Sequence, residues 1–252
     1  MTEDLIIERR GDIVQATFNR PAQRNALTFE MYEALAAICD DPGDARAMIV
    51  SGAGGAFAAG TDMTQFRAFE TPEDGWHYEE TMDKIMSRIE RCPIPTIAAI
   101  TGACTGGGAG IAACCDLRIT DDRLKFGFPI ARTLGNCLSI ATLSRLSSLV
   151  GQGRVREMIF TSRLVGADEA LALGLVTEIA EDPLARAAEL AEQLSGHAPI
   201  TMRVTKEGLR RLRTEGPDAN DHDLVEQAYM SADFKEGMEA FLGKRKPAFR
   251  GE

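Results

Sequence analysis

The residues best suited to chemistry are the glycines at 106–108 and 110, which lie between the apolar run 95–100 and the helix-like segment 111–115. Glycine permits unusual backbone angles and close backbone approach at such a strand-to-helix turn. The first N–H groups of a helix have no intrahelical partner and lie at the positive end of the helix dipole. We therefore expect this turn to stabilise negative charge that develops on a bound oxygen atom.

Composition limits the class of protein. The chain has 252 residues, enough for one α/β domain with appended helices or for two domains. Its net charge of −10 argues against nucleic acid as the main partner. Apolar runs such as 95–100 are too short to span a bilayer, and the first residues lack the pattern of a secretory signal. We expect a cytoplasmic protein with no membrane partner.

The cysteines and histidines do not have the spacing of metal ligands. They are Cys39, Cys92, Cys104, Cys114, Cys115, Cys137, His77, His197 and His222. No Cys-x-x-Cys pair occurs, so we predict no metal site and interpret the cysteines as buried thiols in a reducing compartment. Cys104 and Cys137 are alternative nucleophiles, but neither has a histidine nearby in the sequence to activate it.

The elements that position the glycine turn follow from hydrophobic periodicity and turn residues. The predicted strands are 5–9, 12–18, 47–50, 95–100, 117–120 and 175–179. One predicted helix begins after an N-cap at Thr28 and ends near Cys39. The other predicted helices cover 73–91, 111–115, 167–172, 183–195, 200–213, 219–231 and 232–242. Strands alternate with helices first and helices dominate later, which indicates an α/β core with a helical C-terminal part.

Nine segments together resemble the crotonase family, also called the enoyl-CoA hydratase/isomerase superfamily. They are 19–21 (NRP), 25–27 (NAL), 56–62 (AFAAGTD), 95–102 (PTIAAITG), 106–108 (GGG), 115–118 (CDLR), 126–129 (FGFP), 231–237 (SADFKEG) and 241–247 (FLGKRKP). The resemblance covers nearly the whole chain. It implies a spiral of ββα units over 1–195, containing the acyl-CoA site, and a helical trimerisation region over 196–252. It also implies a homotrimer or a dimer of trimers.

The resemblance implies an acyl-CoA thioester as substrate, with coenzyme A as part of the substrate and no separate cofactor. The backbone N–H groups of Thr61 and Gly107 would form an oxyanion hole for an enolate, and such a donor contributes about 3–4 kcal/mol. Substrate-binding positions carried over from the family, or placed near its acyl pocket, are Arg24, Ala26, Ala58, Gly60, Asp62, Met63, Gly106, Ile130, Arg132 and Asn136. A simple packing turn is the alternative interpretation of 106–108, and a solvated loop is the alternative for Arg24. The tail 244–246 either reaches a CoA phosphate or is an exposed basic segment.

The sequence departs from the family at its acid/base pair. Hydratases add water with two carboxylates, which the family pattern places here at Gly110 and Ile130. Neither residue titrates, so the usual two-glutamate hydration does not carry over. In the following segment, Arg132 could pair with a substrate carboxylate and Asn136 could orient water, although a structural turn is the main interpretation.

One predicted helix, 73–91, borders the acyl pocket in the family. It carries His77, Tyr78, Glu79, Glu80 and Asp83. We interpret these residues as a solvated helix face, with the alternative that one of them replaces a missing carboxylate.

The sequence therefore predicts a CoA-thioester enzyme of the hydratase/isomerase type, of the kind used in fatty acid metabolism. The alternatives are a CoA-thioester isomerase or decarboxylase, and a catalytically silent acyl-CoA-binding or assembly protein. A dinucleotide fingerprint, a phosphate-binding loop and a serine-hydrolase elbow are all absent from the sequence.

Overall fold

The computed structural model of the chain describes residues 3–67 and 69–252. The strands are β1 (Leu5–Arg10), β2 (Ile13–Phe18), β3 (Ala47–Gly52), β4 (Ala56–Ala58), β5 (Thr96–Ile100), β6 (Ala103–Thr105), β7 (Leu117–Thr120), β8 (Lys125–Gly127) and β9 (Glu178–Ile179). The helices are α1 (Phe29–Asp40), α2 (Pro72–Glu90), α3 (Gly107–Cys114), α4 (Ile130–Thr133), α5 (Ile140–Thr161), α6 (Ala167–Ala172), α7 (Pro183–Ser195), α8 (Pro199–Glu215), α9 (His222–Tyr229) and α10 (Ala232–Leu242). Four successive ββα units run from β1 to α4, as the sequence predicts.

Two sheets organise these units. The larger sheet has the order β1-β2-β3-β5-β7-β9, and only its first pair is antiparallel. The smaller sheet has the order β4-β6-β8 and is parallel throughout. Each of the last three units thus sends its first strand into the larger sheet and its second into the smaller one.

The central strands of the larger sheet are buried on both faces, which explains their continuous apolar runs. β5 is buried along its whole length, and β3 is buried up to its last residue. The main core lies on one face and includes Phe18, Tyr32 and Phe57. α7 covers the other face with Ala187 and Ala191.

The smaller sheet positions the predicted site. In parallel strands, the carboxyl ends lie at the same edge of the sheet. β4 leads into 59–62 and β6 leads into Gly106, and Ala58 is paired with Cys104. The two predicted oxyanion-hole segments therefore emerge side by side, although they are far apart in the sequence.

Most predicted elements are confirmed with shifts of a few residues at their ends. The Thr28 hydroxyl accepts a hydrogen bond from the N–H of Met31 at 3.3 Å, so Thr28 caps α1 as predicted. α6, α7 and α10 have the predicted bounds.

Two local predictions are wrong, and three short strands escape prediction. The extended segment 175–179 reduces to β9, because the N–H groups of Leu175 and Val176 bond to Ala170 at the end of α6. The helix predicted over 219–231 is only α9, because a turn follows Gly216 and the next helix is capped by Ser231. The strands β4, β6 and β8 were not predicted, because a three-residue strand has no readable periodicity.

The C-terminal helix α8 contacts both α5 and α9. Lys206 on α8 forms an ion pair with Asp116 at 2.6 Å, which connects this region to the end of α3. A domain boundary between 195 and 196 stays a prediction. Within 3–67 and 69–252, no helix combines the length and the apolar character needed to cross a membrane.

Candidate active site

The glycine turn is built as an N-terminal helix cap. Gly106 is the N-cap of α3 with φ 53° and ψ −120°, a conformation that L-residues with a side chain rarely adopt. The carbonyl oxygen of Gly106 accepts a hydrogen bond from the N–H of Gly110, with an N···O distance of 2.9 Å. Gly107 is the first helical residue, so its N–H has no intrahelical acceptor, and it donates to no other group in the described part of the chain.

The second segment, 59–62, presents another backbone donor. The N–H of Leu27 bonds to the Gly60 carbonyl and the N–H of Asp62 bonds to the Leu27 carbonyl, both at 2.8 Å. Because Leu27 binds the groups on either side of Thr61, the N–H of Thr61 faces away from that bridge. Among the described residues it has no hydrogen-bond acceptor.

The two segments are in direct contact. A Cβ placed on Gly106 would lie 3.4 Å from the Cα of Gly60, and one on Gly107 would lie 3.0 Å from the Thr61 hydroxyl oxygen. A Cβ on Gly107 would also overlap the hydroxyl of Tyr32 on α1. The absence of side chains here is what allows the two donors to approach each other.

Both segments open into a cavity of about 320 Å³. Its lining is Tyr32, Ala59, Gly60, Thr61, Met63, Phe66, Tyr78, Glu79, Met82, Met86, Thr105, Gly106, Gly107, Gly110, Phe128, Pro129, Ile130, Thr133, Leu134, Asn136, Cys137, Leu138 and Thr142. Most of these side chains are apolar, with a few polar groups near the two donors. This combination is typical of a site for a small organic group.

Three hydroxyl groups form a chain beside the donors. The hydroxyl oxygens of Tyr32 and Thr61 are 2.8 Å apart, and those of Thr61 and Tyr78 are 3.4 Å apart. Burial raises the pKa of both tyrosines, so both remain neutral hydrogen-bonding groups at neutral pH.

Gly110 and Ile130 both line the cavity, and neither supplies a titratable group. The space next to Gly110 is filled by Met86 of α2, whose terminal methyl carbon would lie 3.2 Å from a Cβ on residue 110. Ile130 is buried at the start of α4. The cavity wall is apolar at both positions.

Glu79 of α2 is the only carboxylate that lines the cavity within the described residues. Its pKa is raised, first by burial and then by the charge of Asp83, while a hydrogen bond from the Ser139 backbone acts in the opposite direction. Tyr78 lines the cavity as well, whereas His77 and Glu80 are exposed outside it. The solvated-face interpretation is therefore wrong for Tyr78 and Glu79.

The predicted CoA-binding loops are joined at the cavity rim. The N–H of Ala59 bonds to the Arg24 carbonyl at 3.0 Å. Arg20 joins the same loops, because its guanidinium donates to the Ala26 carbonyl at 2.6 Å and to Asp62 at 3.0 Å. Hydrogen bonds from Thr64 and then from Arg20 lower the pKa of Asp62.

The other predicted site residues divide into two groups. The cavity is lined by Gly60, Met63, Gly106, Ile130 and Asn136, together with the alternative nucleophile Cys137. Arg24, Ala26, Ala58, Asp62 and Arg132 lie outside the lining, as does the buried Cys104. Burial raises the pKa of the Cys104 thiol, which leaves it unreactive.

Sequence reasoning missed Tyr32 and Met86, because each acquires its role through contacts between distant segments. The sequence shows Arg20 only as part of the NRP motif at 19–21. In the structure Arg20 organises the loop that follows this motif. Within the described residues no group of three or more potential ligands is arranged to hold a metal ion.

Comparisons with known proteins identify the family of the chain. A sequence model of the family described as enoyl-CoA hydratase/isomerase matches residues 8–252. The short-chain-enoyl-CoA hydratase of Clostridium acetobutylicum is 32% identical, with 96% of each chain covered. The human mitochondrial Delta(3,5)-Delta(2,4)-dienoyl-CoA isomerase is 33% identical over 85% of this chain and 68% of its own.

A solved structure extends the similarity to the fold. The enoyl-CoA hydratase/carnithine racemase of Magnetospirillum magneticum superposes with a TM-score of 0.89 at 33% identity, covering 100% of this chain and 97% of its own. The predicted crotonase-type α/β fold is confirmed, and the chain belongs to the enoyl-CoA hydratase/isomerase family.

Proposed function

We propose that this protein binds an acyl-CoA thioester in the described cavity and stabilises the enolate oxygen with the N–H groups of Thr61 and Gly107. One observation carries the proposal: two backbone donors that have no acceptor among the described residues lie on touching segments at the wall of an apolar cavity. Donors held in this way need no reorganisation when charge develops on the thioester oxygen.

The CoA portion would lie along the joined loops at the rim. Ala26, Gly60 and Met63 would contact pantetheine and adenine, and the exposed Arg24 would contact a phosphate. Ala58 is fully buried and would make no such contact. Coenzyme A enters as part of the substrate, so the reaction needs no separate cofactor. The location of the protein in the cytoplasm stays a prediction.

The reaction class follows from the two positions without carboxylates. Gly110 and Ile130 replace the residues that would activate water and protonate C2 in the two-glutamate mechanism. A double-bond isomerisation or a decarboxylation needs fewer enzyme carboxylates than hydration does. The same two positions also favour a second candidate, an acyl-CoA-binding protein without catalysis.

Assembly as a homotrimer or a dimer of trimers is part of the proposal. Large apolar side chains are exposed on the C-terminal helices and at both ends of α5: Ile140, Phe160, Leu209, Leu212, Tyr229, Phe234, Met238, Phe241 and Leu242. A second copy of the chain would cover such a surface.

Thermal unfolding in the presence of CoA and crotonyl-CoA tests the proposal. A ligand that binds only the native state stabilises it by about 2.7 kcal/mol at 100 times its Kd. We expect both compounds to raise the melting temperature, and the thioester to raise it more. Failure of both to do so would contradict any CoA-ester function. Binding without conversion of any enoyl-CoA isomer would select the silent candidate.

A further inference from the structure

A carboxylate outside the two expected positions lines the cavity. We propose that Glu79 is the proton-transferring catalytic residue of this site, a role that rests on the proposed function. It would remove a proton from C2 of the bound acyl group and return one to the resulting enolate. The argument rests on its helical face, on its surroundings and on the chemistry that one carboxyl can complete.

The face of α2 that carries Glu79 is the face that lines the cavity. Met82 and Met86 follow Glu79 by three and seven residues, so all three share one side of the helix, and all three line the cavity. The terminal methyl of Met86 would lie 3.2 Å from a Cβ on residue 110, on α3. The neighbouring Tyr78 places its hydroxyl 3.4 Å from that of Thr61. Residues on both sides of Glu79 thus contact the oxyanion-hole elements.

The surroundings of Glu79 suit a group that gains and loses a proton. Asp83 lies one turn further along α2 and accepts a hydrogen bond from the Ser139 hydroxyl at 2.6 Å. The other titratable side chains of the lining are Tyr32, Tyr78 and Cys137, and no lysine, arginine or histidine lines the cavity within the described residues. With partial burial, a like charge nearby and no cation, the carboxyl retains a proton more readily than an exposed glutamate does.

The proposed step balances without a co-reactant. The C2–H bond breaks, its proton passes to a carboxylate oxygen of Glu79, and its electron pair forms the C1–C2 double bond while the carbonyl becomes an enolate. The enolate oxygen accepts hydrogen bonds from the backbone N–H groups of Thr61 and Gly107. If the carboxyl of Glu79 first exchanges its proton with solvent, delivery of the new proton to C2 gives exchange. Delivery of a proton to C4 of a 3-enoyl group instead shifts the double bond. A single carboxyl completes both reactions.

Exchange of the C2 protons of butanoyl-CoA with D₂O, followed by NMR, isolates this step, because it needs only the oxyanion hole and a base. We expect Glu79→Gln to lower the exchange rate by at least ~100-fold, since a positioned acid/base contributes about 10²–10⁴-fold. The matched control Glu80→Gln changes the adjacent, exposed carboxyl and should keep the wild-type rate. Butanoyl-CoA affinity, measured by calorimetry, should change by less than about twofold in both variants.

A pH profile separates a catalytic from a structural role. The wild-type exchange rate should rise with pH through the ionisation of Glu79, since only the carboxylate accepts a proton. Glu79→Gln should lose that inflection, and Glu79→Asp should retain it at a lower rate. If Glu79→Gln fails to fold, the wild-type profile and Glu79→Asp decide the question.

The outcomes separate this inference from the proposed function. Undiminished exchange in Glu79→Gln, or a wild-type protein that binds butanoyl-CoA and exchanges nothing, overturns the role of Glu79 alone. Absence of any butanoyl-CoA binding by the wild-type protein overturns the proposed function itself.

Discussion

The hydroxyl of Tyr32 occupies the space that a Cβ on residue 107 would need. Tyr32 is fully buried on α1, and its hydroxyl is held by that of Thr61 at 2.8 Å. Any side chain at residue 107 must therefore displace either the tyrosine or the backbone of the turn. This packing against Tyr32 positions the backbone N–H of Gly107. The geometry of the donor therefore depends on the contact between Gly107 and the Tyr32 hydroxyl.

Gly107→Ala should slow catalysis strongly and spare most of the fold. Displacement of the N–H removes one oxyanion-hole donor, which costs about 10²–10³-fold in rate. The measurement is kcat on an enoyl-CoA substrate, or C2 proton exchange. As a control, Gly75→Ala in α2 meets no atom within 4 Å and should retain full activity. Full activity of Gly107→Ala would remove Gly107 from the proposed oxyanion hole.

Gly110 and Met86 should be coupled. In Gly110→Ala the new Cβ meets the flexible end of Met86 at 3.2 Å, so we expect a change in the free energy of unfolding below about 1 kcal/mol. Gly110→Glu must displace Met86 and bury a carboxylate, which should cost about 2–3 kcal/mol. Urea unfolding should show that Met86→Ala recovers part of this loss in the double variant. Strictly additive effects would mean that the two residues do not compete for the same space.

Asn25 should be important for stability. Its fully buried side chain accepts the N–H of Arg20 at 2.9 Å and donates to the carbonyls of Ala53 and Ala56 at 2.9 and 2.7 Å. Asn25→Ala leaves these three backbone groups without a partner and should cost about 3 kcal/mol in unfolding free energy.

The exposed Asn220 provides the control for this prediction. Its side chain accepts one local hydrogen bond, from the N–H of His222, and Asn220→Ala should cost less than about 1 kcal/mol. Equal losses in the two variants would contradict the role given to Asn25.

Glu207 should make stability depend on pH in the acid range. Hydrogen bonds from Arg210 and then from Arg211 lower its pKa to about 2 from 4.5. Because the folded-state pKa is lower, the stabilisation is complete above pH 4.5 and is lost as the pH falls towards about 2. Glu207→Gln should destabilise the protein at neutral pH and flatten this part of the pH dependence.

Chemical unfolding across this pH range tests the prediction. The control is Glu192→Gln, which changes an exposed carboxyl on α7 and should leave the wild-type pH dependence intact. A Glu207→Gln variant with the same acid profile as the wild type would contradict the assignment.

Phe241 provides a test of assembly. It is 84% exposed on α10, close to the other apolar side chains of the C-terminal helices. If a second copy covers this surface, Phe241→Glu should shift the molar mass in light scattering from trimer or hexamer towards monomer. Lys235→Glu alters an exposed charge on the same helix and should leave the mass unchanged. A wild-type monomer would contradict the proposed trimer.

The sequence by itself determined the family, the α/β core with a helical C-terminal part and the residues of the glycine turn. These features depend on local spacing: the apolar runs of β3 and β5, the Thr28 cap of α1 and the glycines that begin α3 can each be read within a short window. The absence of a carboxyl group at Gly110 and Ile130 is also a property of the sequence.

Only the tertiary structure decided which side chains face the cavity. Tyr32 meets Gly107, and Met86 meets Gly110, through pairs of segments that are remote in the chain. Glu79 and Glu80 are adjacent carboxyls of the same type, and only the packing of α2 against α1 and α3 turns the first towards the cavity and leaves the second exposed. Periodicity gives the face of a helix, but the neighbour of that face is set by long-range packing.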